Sequence, residues 1–167
     1  NTTPALVDID ADGDLDLFVA GFASNNSGNR LFRNNGNETF TDMTASIGLF
    51  SGVSGTSGFA PRLQDMDGDH YPELLLVADF GTSHYFRNNT NGTFTEISSA
   101  ANTAQEENGM GQSVGDYDND GLIDWYVTSI YRPNIGWTGN KLYINQGNHS
   151  YQEISGSAGV DDGGYGW

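Results

Sequence analysis

An all-β fold assembled from three copies of one unit is what this sequence of 167 residues predicts. Acids at alternate positions occur three times, beginning at Asp8, Asp65 and Asp116. Downstream of each lies an aromatic residue followed by Arg-Asn-Asn or Ile-Asn-Gln, then a Thr-Phe or Ser-Tyr pair. Between these two patterns stand short runs rich in β-branched and aromatic residues, the length and composition of strands.

Taken in chain order, each unit opens with a strand that leads into its acidic loop, at 5–9, 61–66 and 112–117. The loop is followed by a strand at 15–22, 74–80 and 122–131, and then by a third at 29–34, 83–88 and 141–145. Asn-Gly and Asn-Asn pairs supply the positive φ angles of a tight hairpin. The hairpin leads to a fourth strand at 39–44, 93–98 and 151–155. No amphipathic helix is evident. Four antiparallel strands per unit, repeating at spacings of 57 and 51 residues, match the blade of a β-propeller. The chain is therefore expected to be one repeat domain with units at 5–56, 57–108 and 109–160. The segment 161–167 reads as the start of a further unit, because Asp162-Gly-Gly-Tyr-Gly-Trp167 resembles Ser57-Gly-Phe59 and Asn108-Gly-Met-Gly-Gln112.

Counted from its first acid, every loop carries carboxylates at positions 1, 3, 5 and 9. Carboxylates packed this densely repel one another unless a cation sits among them. Calcium takes six to eight oxygens and tolerates irregular geometry. Positions 1, 3 and 5 can turn inward together, position 7 can offer a backbone carbonyl, and position 9 can close the cage. An EF-hand would need a bidentate Glu at position 12, where this chain has Val19, Leu76 or Val127. The expected cofactor is Ca²⁺, about three ions.

Composition narrows the function. Thirteen of the 22 acids lie in the loops, so much of the −16 net charge is ligand inventory, and three calcium ions would bring it to −10. With six basic residues and no basic cluster, nucleic acid and anionic lipid are not expected partners. No apolar run approaches the roughly 18 residues of a membrane span. Cysteine is absent, which excludes disulfides and thiolate metal sites. Loops of this kind stay filled where calcium is abundant, so a secreted or cell-surface location is expected, with the chain a mature secreted protein or a piece of one.

Asp-x-Asp-x-Asp-Gly-x-x-Asp, followed by apolar strands and then by Leu-Phe-Arg-Asn-Asn-Gly-Asn-x-Thr-Phe, resembles the FG-GAP and VCBS repeats, whose calcium-loop type is shared by integrin α-subunit propellers. The resemblance runs through all three units. It implies propeller blades with a calcium ion in a loop between adjacent strands, in a protein used for adhesion, carbohydrate contact or scaffolding. Carried over by position, it implies side-chain ligands Asp8, Asp10, Asp12 and Asp16; Asp65, Asp67, Asp69 and Glu73; and Asp116, Asp118, Asp120 and Asp124. Asp14, Tyr71 and Leu122 would give backbone carbonyls. The middle loop departs from the pattern, with His70 in place of the turn glycine and Glu73 in place of the last Asp, and is expected to be the weakest.

Three units are too few to close a propeller of four to eight blades. The chain is expected to be a fragment of a longer propeller, to be capped by a partner, or to assemble head to tail into a filament. Sequons occur at Asn1, Asn25, Asn37, Asn88, Asn91 and Asn148, and their Asn and Thr are read first as turn residues. Trp125, Tyr126, Tyr131, Trp137 and Tyr143 cluster in the third unit, where packing is favoured over sugar stacking. His70, His84 and His149 fall at unrelated repeat positions and form no Ser-His-Asp pattern, so an enzyme is not expected. The function expected is adhesion or scaffolding, with glycan binding or membership of a polysaccharide-active propeller as the alternative.

Overall fold

The computed structural model describes residues 2–22, 28–49 and 55–164. It is all-β. Blade 1 contains β1 (Thr2–Val7), β2 (Asp16–Gly21), β3 (Arg30–Asn34) and β4 (Phe40–Asp42). Blade 2 contains β5 (Ser57–Gln64), β6 (Glu73–Asp79), β7 (His84–Asn88) and β8 (Phe94–Glu96), followed by one helical turn, α1 (Ser98–Ala101). Blade 3 begins with β9 (Gly109–Gly115) and β10 (Asp124–Ser129). A small hairpin of β11 (Tyr131–Arg132) and β12 (Trp137–Thr138) interrupts it before β13 (Lys141–Asn145), β14 (Tyr151–Glu153) and a second turn, α2 (Ser155–Ala158). Each blade is a four-stranded antiparallel meander in sequence order.

Register explains where the acids sit. The pairs Val7↔Asp16, Gln64↔Glu73 and Gly115↔Asp124 each close an acidic loop. The ninth-position acid is therefore the first residue of the second strand, held in the ladder rather than free in the loop. Blades 2 and 3 share a further irregularity, a register shift after Gly58 in β5 and opposite the Thr128–Ser129 step in β10.

The fourth strands are shorter than the sequence suggests, ending at Asp42, Glu96 and Glu153. A hydroxyl takes the place of the next ladder bond. The Leu31, Tyr85 and Leu142 amides donate to Thr44 Oγ1, Ser98 Oγ and Ser155 Oγ at 2.9, 2.8 and 2.6 Å. In turn, the amides of these residues donate to Asp42, Glu96 and Glu153, two residues back. Chain that bonds itself in this way cannot continue as strand.

The core consists of two layers between blades. Phe18, Ala20 and Leu31 of blade 1 meet Leu74, Leu76, Phe86 and Phe94 of blade 2. Leu75, Val77 and Tyr85 of blade 2 meet Trp125, Val127, Tyr143 and Tyr151 of blade 3. The second layer is aromatic, with Trp125 centred 6.3 Å from Tyr85 and 5.4 Å from Tyr143. Gln112 stitches it, accepting from Trp125 Nε1 at 2.8 Å and donating to the carbonyls of Ala60 and Leu75 in blade 2. Trp125 and Tyr143 are thus packing residues, whereas Trp137 lies in the inserted hairpin beneath the Arg132 guanidinium.

Glu106, in the connection from α1 to β9, is buried beside this layer. One of its oxygens accepts from Tyr143 Oη at 2.9 Å and the other has no hydrogen bond. Burial holds its carboxyl above the usual range. The folded protein therefore binds this proton more tightly than the unfolded chain does, and stability falls as pH rises through the unfolded carboxylate pKa. Glu106→Gln should raise the melting temperature at neutral pH, and the gain should vanish below about pH 4, where the unfolded glutamate is itself protonated; thermal melts of the two proteins across pH check this.

Candidate metal centres

All three acidic loops share one hydrogen-bond scheme. The first acid accepts the amide of position 6, with Gly13, His70 and Gly121 donating to Asp8, Asp65 and Asp116 at 2.9, 3.0 and 3.0 Å. The fifth accepts the amide of position 7, with Asp14, Tyr71 and Leu122 donating to Asp12, Asp69 and Asp120 at 2.9, 2.8 and 2.8 Å. Positions 4 and 6 are left-handed in every loop, at Ala11 and Gly13, Gly68 and His70, and Asn119 and Gly121. The sequence signals only one glycine per loop. It stands at position 6 in loops 1 and 3 and at position 4 in loop 2, which places His70 at φ +73°. A side chain there carries the crowding that glycine avoids.

The ninth acid is buried and ties down the loop and the far end of the blade together. Asp16 accepts the amides of Ile9 and Asn34 at 2.9 and 2.8 Å. Glu73 accepts those of Met66 and Asn88 at 3.0 and 3.3 Å. Asp124 accepts those of Tyr117 and Asn145 at 2.7 and 2.8 Å. Burial lifts Asp16 above the usual carboxylate range and pushes Glu73 up to about 8.

The side chains of those same asparagines reach further, which sequence reasoning missed even though the repeated Asn was visible. Asn88 Nδ2 donates to the carbonyls of Ile9 and Pro72, at 2.9 and 3.3 Å, and Asn145 Nδ2 to those of Met66 and Ile123, both at 3.0 Å. Ile9 and Met66 belong to the loop of the preceding blade, so each asparagine bolts one acidic loop to the next. Asn88 is also a sequon residue, and its buried amide leaves no room for a glycan. Asn37, Asn91 and Asn148 are exposed, while Asn1 and Asn25 lie outside the described residues.

Carboxylate oxygens converge in each loop. Asp8, Asp10 and Asp16 bring ligand atoms within 4.8 Å of one another, as do Asp116, Asp118 and Asp124, and Asp65, Asp67 and Asp69. Asp12 and Asp120, which like Asp69 accept the amide of position 7, fall outside these groups, and Glu73 groups with Asp67 and His149 rather than with the rest of its loop. His149 comes from the β13–β14 turn of blade 3. Its Nε2 lies 3.1 Å from Asp67 Oδ2, and its Nδ1 is 2.8 Å from Tyr85 Oη. The middle loop thus differs from the others in its neighbour as well as in its own residues. All-oxygen sets of this kind suit a hard divalent cation. In loop 1, Asp10 Oδ1 is buried without any hydrogen-bond partner, an acceptor that a cation would satisfy. Burial and the adjacent Asp12 and Asp8 hold Asp10 above the usual range.

Three consecutive four-stranded meanders with an acidic loop between the first and second strand of each define a repeat protein of β-propeller type. The FG-GAP-like repeat family matches at residues 8–76 and 65–127, and the chain belongs to that family. Among solved structures, the fold is similar to that of a lectin of Agrocybe aegerita, described for its specific recognition of non-reducing terminal N-acetylglucosamine. The TM-score is 0.54 at 20% identity, over 96% of this chain and 41% of the lectin chain. This chain therefore spans less than half the length of that protein. No curated protein matches the chain in sequence.

Two substitutions probe these loops. Asn145→Ala removes the donor for Met66 and Ile123 and the acceptor of the Gly147 amide at 2.9 Å. It should cost about 2 kcal/mol in a denaturant titration. His70→Gly should stabilise the protein by about 1 kcal/mol by relieving the left-handed backbone, because the exposed imidazole is only 3.9 Å from Asp65 and contributes little.

Proposed function

We propose that this chain is a calcium-stabilised repeat protein of the cell exterior that serves adhesion or scaffolding by head-to-tail association of its blades. The observation that carries the calcium half is the threefold recurrence of converging carboxylates on one loop frame, with a buried and unpartnered Asp10 oxygen in the first. Asp8, Asp10 and Asp16, their counterparts Asp116, Asp118 and Asp124, and Asp65, Asp67 and Asp69 would hold the ions. A bound ion would supply charge neutralisation for side chains that otherwise repel. The same acids already order the backbone amides of the loop, and that makes the role structural rather than catalytic. An ion fixed there would hold the strand entering the second position of each blade against the strand leaving the first.

A location outside the cell suits this reading, since loops of this type fill readily where calcium is millimolar. Carbohydrate binding is the second reading, favoured by the fold shared with an N-acetylglucosamine-recognising lectin. A glycan array separates it from scaffolding, which needs no sugar. The calcium reading is tested by thermal melts in calcium and in EGTA, alongside equilibrium dialysis. Chelation should lower the melting temperature by well over 10 °C, as expected when metal binding is part of folding, and dialysis should count about three ions. A melting temperature indifferent to EGTA would refute structural calcium.

A further inference from the structure

The middle acidic loop differs from the other two in what reaches it. In loops 1 and 3 the ninth acid groups with the first and third, as Asp16 does with Asp8 and Asp10, and Asp124 with Asp116 and Asp118. In loop 2 the ninth acid is Glu73, one methylene longer. It groups with Asp67 and His149, each of the three offering a ligand atom within 4.8 Å of the others. His149 comes from blade 3, four residues after Asn145. The same place in blade 2, four residues after Asn88, is Gly92, so the equivalent turn has no side chain to offer loop 1. Both residues are left-handed, Gly92 at φ +79° and His149 at φ +54°. Glycine takes that conformation freely, whereas histidine takes it at a cost in backbone energy.

The imidazole is held from behind and aimed at the loop. Its Nδ1 lies 2.8 Å from the hydroxyl of the buried Tyr85, and its Nε2 lies 3.1 Å from Asp67 Oδ2. Two donors of one zinc-sized ion, each about 2.1 Å from it, stand about 3.0 to 3.4 Å apart at octahedral to tetrahedral angles. With a metal on Nε2, the imidazole proton sits on Nδ1 and is donated to Tyr85 Oη, whose own proton goes to Tyr151 Oη at 3.4 Å. A hydrogen bond of this kind from the remote ring nitrogen is what orients metal-ligating histidines.

A histidine–aspartate hydrogen bond would produce the same spacing. It would not explain why the fully buried Glu73 brings its carboxylate into that space, rather than grouping with the first acid as Asp16 and Asp124 do. Each Glu73 oxygen accepts one backbone amide, from Met66 or Asn88, and retains a second lone pair for a cation. The site adjoins an open cavity of about 250 Å³ that Asp69, Arg87, Asn89 and Thr90 also line. Arg87 donates to Asn89 Oδ1 at 3.2 Å and forms no ion pair with these acids among the described residues, so their charge is left for a metal.

We infer that Asp67, Glu73 and His149 bind a first-row divalent transition cation of the zinc type, which clamps the acidic loop of blade 2 to the β13–β14 turn of blade 3. The donor set decides the ion. Calcium takes oxygen ligands, whereas an imidazole nitrogen beside carboxylates suits zinc and its neighbours. Three protein ligands leave a fourth tetrahedral position for water, which the adjoining cavity supplies. Asp67 also belongs to the Asp65, Asp67 and Asp69 group, so zinc and calcium compete for this loop alone. Loops 1 and 3 have no histidine in their groups among the described residues and keep their preference for calcium. The inference does not rest on the calcium reading.

The test is calorimetric titration of the metal-free chain with zinc chloride in excess calcium. One zinc ion per chain is expected, with His149→Ala weakening it by about 100-fold or more. Glu73→Asp, which restores the residue of the other loops and withdraws the carboxylate from His149, should weaken zinc as well. His70→Ala should leave zinc binding unchanged, because that imidazole is exposed and 3.9 Å from Asp65. Zinc-edge X-ray absorption of the wild-type complex, which needs no variant to fold, should show one imidazole among oxygen ligands. No zinc uptake against calcium overturns the site, as does an all-oxygen shell. Wild-type affinity retained in His149→Ala or Glu73→Asp, or lost in His70→Ala, overturns it too. Calcium-dependent melting of the zinc-free chain reports the calcium reading separately, so either can fail alone.

Discussion

A carboxylate fixed at the first residue of the second strand organises each blade. Asp16, Glu73 and Asp124 sit inside the ladder by register, are buried, and each accept two backbone amides. One amide belongs to the acidic loop and the other to the last residue of the third strand. The loop conformation, the reach of the third strand and the position of its asparagine all follow from that group. A buried carboxylate is costly unless its oxygens are matched, and the paired amides match them. Without this clamp the loop would have no fixed relation to the blade, and the remaining acids would have no reason to converge.

From the clamp, order passes between blades. In blades 2 and 3 the asparagine whose backbone amide is held by the ninth acid extends its side chain to the preceding loop, so acidic loops and blade contacts form one connected structure. The apolar layers do the rest, and they are not alike. The layer between blades 1 and 2 is aliphatic with Phe18 and Phe86, whereas the layer between blades 2 and 3 is built on Tyr85, Trp125, Tyr143 and Tyr151. Tyr85 also orients His149 toward Asp67. The aromatic layer thereby reaches the middle acidic loop, giving that site a neighbour the other two do not have.

The four-strand unit, its three copies and the family were legible because each rests on local chemistry repeated in the chain. Alternating acids make a loop wherever they fall, and Asn-Gly pairs make hairpins. Strand ends were less legible. The fourth strands stop at Asp42, Glu96 and Glu153 because hydroxyls of Thr44, Ser98 and Ser155 capture amides from a strand distant in sequence. Sequence placed the left-handed glycine at position 6. The need for a second left-handed residue at position 4 appears only once Ala11, Gly68 and Asn119 are seen in the same turn.

The sequence by itself determined the repeat and the all-β class, because spacing along a strand or tight loop fixes which side chains can meet. Only the tertiary structure decided how the loop acids divide their work. Asp16 and Asp124 accept buried amides while grouping with two other acids, Asp12, Asp69 and Asp120 each accept a loop amide, and Glu73 groups with a histidine 76 residues further on. It alone revealed that Asn88 and Asn145 cross from one blade to the next. Those choices depend on blade packing, which brings together residues that no spacing along the chain relates.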